Sequence, residues 1–212
     1  MKRTFSIIAA VHDQSAAISE NLPALLSQQY EGRYEVIVVD ESSSDDTLDV
    51  LKQLKTDNPH LYTTFLPKYQ FQRNRRRLAL TIGVKAAKND WVIFIDINTP
   101  PPSDTWLEEL SAQIESGEKL QLGYISRKKG NVRLQPFYNL EDARSLVSKN
   151  ERAEADIGHQ GSHLRYLQGK YDFMVVKRSE AHEALRLFGN DLHGGRLFAR
   201  SLRVALYNLV HQ

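Results

Sequence analysis

Uninterrupted apolar blocks alternate, along the first half of the chain, with stretches whose apolar residues recur every three or four positions. Short apolar blocks rich in β-branched residues predict strands. The chain has four such blocks, at Phe5 to Val11, Glu35 to Val39, Leu61 to Leu66 and Trp91 to Ile95. Because these strands lack polar alternation, we expect a parallel sheet that is covered on both faces.

The stretches that follow the strands each predict one amphipathic helix. Their inward-facing positions are Ile18, Leu22, Leu25 and Leu26; then Leu48, Leu51 and Leu54; then Leu78, Ala79, Ile82 and Ala86; and last Leu107, Leu110 and Ile114, within a helix from Asp104 to Ser116. Ser43, with Asp46 three residues later, is typical of a helix-start cap. Repeated strand-helix units with right-handed crossovers predict an α/β fold with a Rossmann-like, mostly parallel central sheet and helices on both faces.

Polar side chains stand where three of these strands end. They are Asp13, Asp40, Asp96 and Asn98. In open α/β sheets, ligands bind beyond the carboxyl ends of the strands. Three carboxylates at three strand ends therefore predict a binding site at this edge.

The second half of the chain has a weaker pattern. Leu120 to Ser126 predicts a further strand, and beyond Arg127 the periodicity fades. Three features remain: a glycine-rich loop at Gly158 to Ser162, a short strand or buried segment at Tyr171 to Val176, and a closing helix at Arg196 to Val210. We therefore expect a single domain over 1–212, with 1–126 as the ligand-binding half and 127–212 as a shorter second half.

Composition narrows the class of protein. The 212 residues suffice for one sizeable α/β domain, and hydrophobic residues (41%) and charged residues (25%) have ordinary globular proportions. The chain has no cysteine, which excludes disulfides, thiolate metal sites and a thiol nucleophile. No window approaches the length of a membrane span, and the start lacks a cleavage site, so we expect a cytoplasmic protein.

Positive charge is concentrated although the net charge is only +2. One cluster comprises Arg73, Arg75, Arg76 and Arg77, and a second comprises Arg196, Arg200 and Arg203. In the helix predicted at 196–210, the second cluster lies opposite an apolar face. A docked terminal helix is the usual reason for this pattern, and peripheral contact with the cytoplasmic face of a membrane is the alternative.

Several segments resemble glycosyltransferase family 2. Residues 6–14 are similar to the family's opening strand and nucleotide loop, with Ala10 and His12 in place of a proline and an aromatic residue. Residues 35–47 are similar to its second-strand motif of two acids, Gly-Ser, a small residue, Asp and Thr. Residues 78–96 lead to a segment that resembles the family's Asp-x-Asp, here Asp96-Ile97-Asn98. Asp172 and Arg178 resemble its Glu-Asp motif and later arginine.

This resemblance implies a GT-A type fold and a hexosyltransferase of polysaccharide biosynthesis at the cell envelope. It implies a nucleotide-sugar donor and a saccharide or lipid-linked acceptor, with no nucleic acid. It further implies that Asp96 and Asn98 hold Mn²⁺ or Mg²⁺ at the diphosphate, and that Asp172 is the catalytic base. The nucleotide-sugar-binding residues that it implies are Ala10, Val11, His12, Asp13, Asp40, Ser42 and Asp96.

The chemistry of inverting sugar transfer agrees with these roles. A carboxylate must take the acceptor hydroxyl's proton, and positive charge must stabilise the departing diphosphate. Asn98 in place of an acid removes a negative charge, so metal affinity should fall. A guanidinium from Arg75 or Arg76 is expected to bind the diphosphate and to replace part of the metal's charge.

Three other functions stay open at this point. A nucleotide-sugar-binding protein without turnover is suggested by Asn98 and the short second half. A nucleic-acid-binding module is suggested by Tyr69 and Phe71 beside the arginines, although the near-neutral net charge argues against it. An oxidoreductase that uses a dinucleotide is disfavoured, because no Gly-x-Gly-x-x-Gly follows the first strand.

Overall fold

The computed structural model describes residues 2–68, 75–114, 120–125, 132–137 and 173–188. Its strands are β1 Phe5–Val11, β2 Tyr34–Asp40, β3 Leu61–Phe65, β4 Trp91–Ile95, β5 Leu120–Ile125, β6 Val132–Phe137 and β7 Phe173–Lys177. Its helices are α1 Ser15–Leu26, α2 Thr47–Asp57, α3 Arg75–Ala86, α4 Trp106–Gln113 and α5 Ala181–Phe188, the last preceded by a 3₁₀ turn at Arg178–Glu180.

The strands form one sheet in the order β3-β2-β1-β4-β7-β5-β6. The first four predicted strands are confirmed and pair in parallel, with β1 between β2 and β4. Phe5 pairs with Tyr34 on one side and with Trp91 on the other. Every residue of β1 is buried, as expected for a strand whose two faces are both covered by helices.

The remaining strands make antiparallel pairs. β7 lies between β4 and β5 and runs against both, with Phe173 opposite Ile95 and Lys177 opposite Trp91. Since β5 runs against β7, it points in the same direction as β1 to β4, and the expected mostly parallel sheet is confirmed. The strands predicted near residues 120 and 171 are confirmed as β5 and β7, whereas β6 and α5 had no clear signal in the sequence.

Two apolar layers cover the two faces of the sheet. One layer packs α1, α2 and α4 on alternate residues of the strands, and Trp106 of α4 meets Phe173 edge-on at 5.1 Å between ring centroids. The other layer packs α3 and α5 on the opposite face, against the intervening strand residues such as Ile8 and Val39. The alternation along each strand divides its side chains between these two layers.

One predicted inward position of α2 was wrong. Leu48 is 43% exposed, because the buried face of α2 passes through Thr47, Leu51 and Leu54. These three positions follow helical spacing from the first residue of α2, so Leu48 falls one position off that face. The predicted inward face of α3 was also partly wrong: of its four positions only Ala79 is buried, because the buried face passes through Leu80, Gly83 and Val84 instead of Leu78, Ile82 and Ala86, which are half-buried. In α1 and around α4 the expected residues are buried.

Several predicted segments lie outside the described residues. They are Arg73, Gly158 to Ser162, Tyr171, Asp172 and the helix at 196–210. Among the helices that the structure describes, none has both the length and the apolar character needed to cross a membrane.

Close packing of α3 on the sheet predicts that Gly83→Ala destabilises the fold. A Cβ at Gly83 would lie 2.4 Å from Cγ2 of Ile8, a branched side chain at the centre of β1. Alanine normally stabilises a helix relative to glycine, but overpacking here should lower the free energy of unfolding by about 1–3 kcal/mol. Urea denaturation measures this change. Lys85→Ala, at an exposed position of α3, is the control, and an equally stable Gly83→Ala variant would contradict the expected packing.

Candidate active site

The three predicted carboxylates lie at the same edge of the sheet. Asp40 ends β2 and pairs with Val11, the last residue of β1, while Asp96 follows directly after β4. Asp40 is 1% exposed and Asp96 is 3% exposed, whereas Asp13 is exposed. The prediction that the strand ends gather these side chains is therefore confirmed. Two buried carboxylates at one edge require compensating hydrogen bonds or positive charge.

Asp40 is held by the loop that follows β2. Its two carboxylate oxygens accept from the Ser43 amide at 3.0 and 3.3 Å, and the Ser43 hydroxyl donates to Oδ1 as well. These bonds return the loop onto the end of its own strand, because the side chain of Asp40 binds the backbone three residues further along. They fix the Asp40 carboxylate in one orientation at the sheet edge.

Asp13 connects the β1 loop to the β2 loop. Its amide donates to the Ser43 hydroxyl at 2.9 Å, and its carboxylate accepts from the Ser44 amide at 2.6 Å and the Asp45 amide at 3.3 Å. The Ser44 amide is the main reason that the pKa of Asp13 lies below its ordinary value. The backbone of Asp13 has a φ of 49°, in the left-handed region. The carboxylate thus organises the loops, a role that sequence reasoning missed.

Asp45 is a further residue that sequence reasoning missed. Its carboxylate accepts from the Thr47 amide and the Ser15 amide, each at 3.0 Å, so it lies at the start of both α2 and α1. Hydrogen bonds from Thr47 and then Ser15 lower the pKa of Asp45 well below its ordinary value.

The expected helix-start cap by Ser43 and Asp46 is wrong. Asp46 precedes α2 and makes no side-chain cap hydrogen bond. The Ser43 hydroxyl is already used by Asp40 and Asp13. The signal available in the sequence was the second acid, Asp45, two residues before Thr47.

Ser42 occupies the position at which the family motif has glycine. Its φ is 64°, a conformation that glycine adopts readily and other residues adopt at a cost. Its hydroxyl donates to the Leu66 carbonyl and accepts from Nη2 of Arg75 at 3.1 Å. Non-glycine residues in this region are typical of functional loops whose surroundings hold them in place.

Two adjacent arginines at the start of α3 reach different parts of this edge. Nη2 of Arg75 donates to the Glu41 carbonyl at 2.9 Å, beside Ser42. Nη2 of Arg76 lies 3.5 Å from Oδ2 of Asp96. Because the two residues are neighbours in the chain, α3 links the loop after β2 to the loop after β4. Guanidinium groups in this arrangement favour an anionic ligand between the loops.

Asp96 and Asn98 form a tight local turn. Oδ1 of Asp96 accepts from the Asn98 amide at 2.9 Å and from Nδ2 of Asn98 at 2.8 Å, and the Asp96 carbonyl accepts from the Thr99 amide at 2.9 Å. Within the described part of the chain, no group of three acidic or histidine side chains could hold a metal ion. Mg²⁺ and Mn²⁺ sites need only one or two carboxylates when phosphates and water complete the shell. Oδ2 of Asp96 meets that minimum, and Asn98 as a ligand stays a prediction.

The other predicted site residues lie close to the same edge. Ala10 and Val11 are fully buried, and their side chains pack in the two core layers rather than facing the loops. His12 is exposed, with Nε2 3.6 Å from Oδ2 of Asp13. Their nucleotide contacts stay predictions, as does the role of Asp172.

Arg178, which the resemblance placed after Asp172, lies at the opposite edge of the sheet. Its amide donates to the Asp90 carbonyl at 2.8 Å, and Nη1 lies 3.4 Å from the Ala87 carbonyl. Arg178 lies five residues after Phe173, the residue of β7 that pairs with Ile95. In an extended strand this places the two backbones about 17 Å apart. Arg178 therefore closes the far end of α3 and does not reach Asp96.

The sheet order and the buried carboxylates at the strand ends agree with an α/β protein of the GT-A glycosyltransferase type. The sequence profile of "Glycosyl transferase family 2" matches residues 6–167, and the chain belongs to that family. The resemblance seen in the sequence is thereby confirmed, together with the fold that it implies.

Individual relatives agree with this assignment. Over 95 residues the chain is 28% identical to poly-β-1,6-N-acetyl-D-glucosamine synthase of Staphylococcus aureus (strain COL), a match that spans 44% of this chain and 21% of the relative. Among solved structures, S. aureus TarS 1–349 in complex with UDP superposes with a TM-score of 0.60 at 16% identity, over 97% of this chain and 54% of that chain.

A third similar protein is the mannosyltransferase PcManGT of Pyrobaculum calidifontis, solved in complex with GDP-Man and Mn²⁺. Its TM-score is 0.59 at 16% identity, over 95% of this chain and 51% of that chain. At these identities the two structures establish the fold. The chain spans about half the length of these two solved chains and about a fifth of the synthase.

The backbone of Ser42 predicts that glycine is tolerated better than alanine at this position. Both substitutions remove the hydroxyl and its hydrogen bonds, but only Ser42→Gly relieves the left-handed conformation. We expect Ser42→Gly to be more stable than Ser42→Ala by up to about 1 kcal/mol, measured by urea denaturation. Ser19, exposed within α1, is the matched control, because there glycine should be the less stable variant. The same order at both serines would contradict the assigned strain.

Proposed function

We propose that this chain is the nucleotide-sugar-binding and catalytic unit of an inverting glycosyltransferase. It transfers a sugar from a nucleotide-diphospho-sugar, with a UDP-linked donor, to a hydroxyl of a saccharide or lipid-linked acceptor. The observation that carries this proposal is the pair of buried carboxylates, Asp40 and Asp96, at one sheet edge with Arg75 and Arg76 beside them.

The nucleoside lies, in this proposal, on the β1 and β2 side of the edge. The Ser43 amide and hydroxyl both donate to Asp40 there and fix the orientation of its carboxylate. A fixed, buried carboxylate accepts hydrogen bonds from a base or ribose without a further ordering cost. The loops of Asp13 and Ser42 form the wall of this side.

The diphosphate lies between Arg75, Arg76 and Asp96. A divalent cation, Mn²⁺ or Mg²⁺, would be held by Asp96 together with Asn98, and it would supply positive charge to the leaving diphosphate. The solved structure of PcManGT with Mn²⁺ is consistent with such a cation in this fold. The arginines add fixed positive charge that does not depend on metal.

Asp172 is proposed as the base that takes the proton of the acceptor hydroxyl. The support is the register of β7, in which Phe173 pairs with Ile95, the residue before Asp96. Phe173, the residue that follows Asp172 in the sequence, begins β7 at the end of that strand nearest to Asp96. A carboxylate in reach of the acceptor oxygen is what inverting transfer requires.

The biological setting is proposed from a relative and from the sequence pattern near residue 200. The synthase that matches 95 residues of this chain is named for a polysaccharide product, which favours a role in polysaccharide biosynthesis at the cell envelope. Action on the cytoplasmic side, with peripheral membrane contact through the helix predicted at 196–210, would bring the site to a lipid-linked acceptor.

A second candidate function is a binding protein of the same fold that has no turnover. The observation in its favour is Asn98, which presents its amide nitrogen to Asp96 instead of offering a second carboxylate. Such a protein would keep nucleotide binding and lose sugar transfer.

Calorimetric titration with UDP and GDP, with and without Mn²⁺, tests nucleotide binding. We expect micromolar binding to the wild type, tighter for UDP, and a loss of about tenfold or more in Asp40→Asn, because a buried hydrogen-bonding group loses its charge. Asp49→Asn is the matched control, since Asp49 is exposed and pairs with Lys52, three residues later in α2. Equal binding by the Asp40→Asn and Asp49→Asn variants would remove Asp40 from the site.

The role of Asp172 is tested by separating binding from turnover. In Asp172→Asn we expect UDP binding within about twofold of the wild type, and release of UDP from a UDP-sugar donor to fall by about 10²-fold or more. Single-turnover measurements with a panel of saccharide acceptors give this rate. Binding without transfer in the wild type itself would favour the second candidate function.

A further inference from the structure

The two carboxylate oxygens of Asp96 have different partners. Its side chain is 4% exposed. Oδ1 accepts two hydrogen bonds from Asn98, whereas Oδ2 faces Nη2 of Arg76 at 3.5 Å. A buried carboxylate is stable only when hydrogen bonds or an opposite charge compensate for lost water. Arg76 therefore supplies the positive charge on the Oδ2 side.

Arg76 is held there by charge rather than by close hydrogen bonds. Its 3.5 Å contact is longer than the 2.7–2.9 Å that is usual between a guanidinium and a carboxylate. Its Nε is buried and has no hydrogen-bond partner among the described residues. Arg75, by comparison, donates two hydrogen bonds from Nη2, at 2.9 and 3.1 Å. Arg76 thus stands to gain hydrogen bonds by changing partner.

We propose that Arg76 is the resident cation of Asp96 and that it exchanges with a divalent metal ion there. This inference rests on the proposed function and extends it, because it states how the site is charged before and after a nucleoside diphosphate binds. Oδ2 is the oxygen of Asp96 left for a metal, and like charges exclude a guanidinium and a dication from the same oxygen. When the metal takes Oδ2, it replaces Arg76 as the positive charge beside Asp96.

The exchange also explains how the site works with Asn98 in place of a second acid. With one carboxylate, the site binds a metal weakly. With Arg76 present, the diphosphate meets a positive charge whether or not the metal is bound. The expected property is nucleotide binding that depends only modestly on Mn²⁺.

The test is the dependence of UDP affinity on Mn²⁺, measured by calorimetry in EDTA and in saturating Mn²⁺. For the wild type we expect the two dissociation constants to differ by less than about tenfold. In Arg76→Gln the affinity in EDTA should fall and the affinity in Mn²⁺ should hold, so that the ratio rises by about tenfold or more. In Asp96→Asn, Mn²⁺ should no longer improve binding.

Two variants serve as controls for charge and for folding. Arg77→Gln removes the same charge from the next position of α3 and should leave the ratio unchanged. Arg76→Lys keeps the charge and should restore a ratio within about threefold of the wild type, so this variant also tests the inference if Arg76→Gln fails to fold.

The outcomes separate this inference from the proposed function. Equal losses in EDTA and in Mn²⁺ for Arg76→Gln would identify a static contact or a structural role and would overturn the exchange, while leaving the transferase in place. An Mn²⁺ response that persists in Asp96→Asn would overturn it as well. Wild-type protein that binds neither UDP nor GDP under either condition would overturn the proposed function and the exchange together.

Discussion

The parallel pairing of β1 on both of its sides is the constraint on which the rest of the structure depends. Its residues are all buried, its two neighbours run in the same direction, and each face is covered by helices. Parallel neighbours bring their carboxyl ends to one edge, so the loops that follow must share that edge. The position of the site is therefore set by the direction of the strands, whatever side chains the loops carry.

At that edge, hydrogen bonds join the loop after β1 to the loop after β2. Asp13 donates to Ser43, Ser43 donates to Asp40, and Asp13 in turn accepts from the start of the same loop. Networks of this kind are more rigid than their single bonds, because each group orients the next. The acids of the site thus divide into two sets, those that shape the loops and those that are left to meet a ligand.

Strand positions and the buried acids could be predicted from the sequence because both depend on local pattern. Asp40 and Asp96 end apolar blocks, and any parallel arrangement of those blocks gathers them. The contact of Asp45 with Ser15 could not be predicted in this way, since it joins two segments that are 30 residues apart in the chain. The prediction that Leu48 points inward was wrong because the spacing of the leucines in a helix as short as α2 does not define its buried face to within one position.

The position of β7 also lay beyond local pattern, and it determines the order in which the sheet can be completed. β7 separates β4 from β5, although it follows both of them in the chain. Until residues 173–177 have been synthesised, β4 and the hairpin of β5 and β6 each keep an unpaired edge, which is a surface prone to wrong pairing. Closing the sheet requires a long-range contact of the slow kind. The part of the sheet formed by β1 to β4 can therefore assemble during translation, while its junction with β5 and β6 waits for one late strand to be inserted between edges already made.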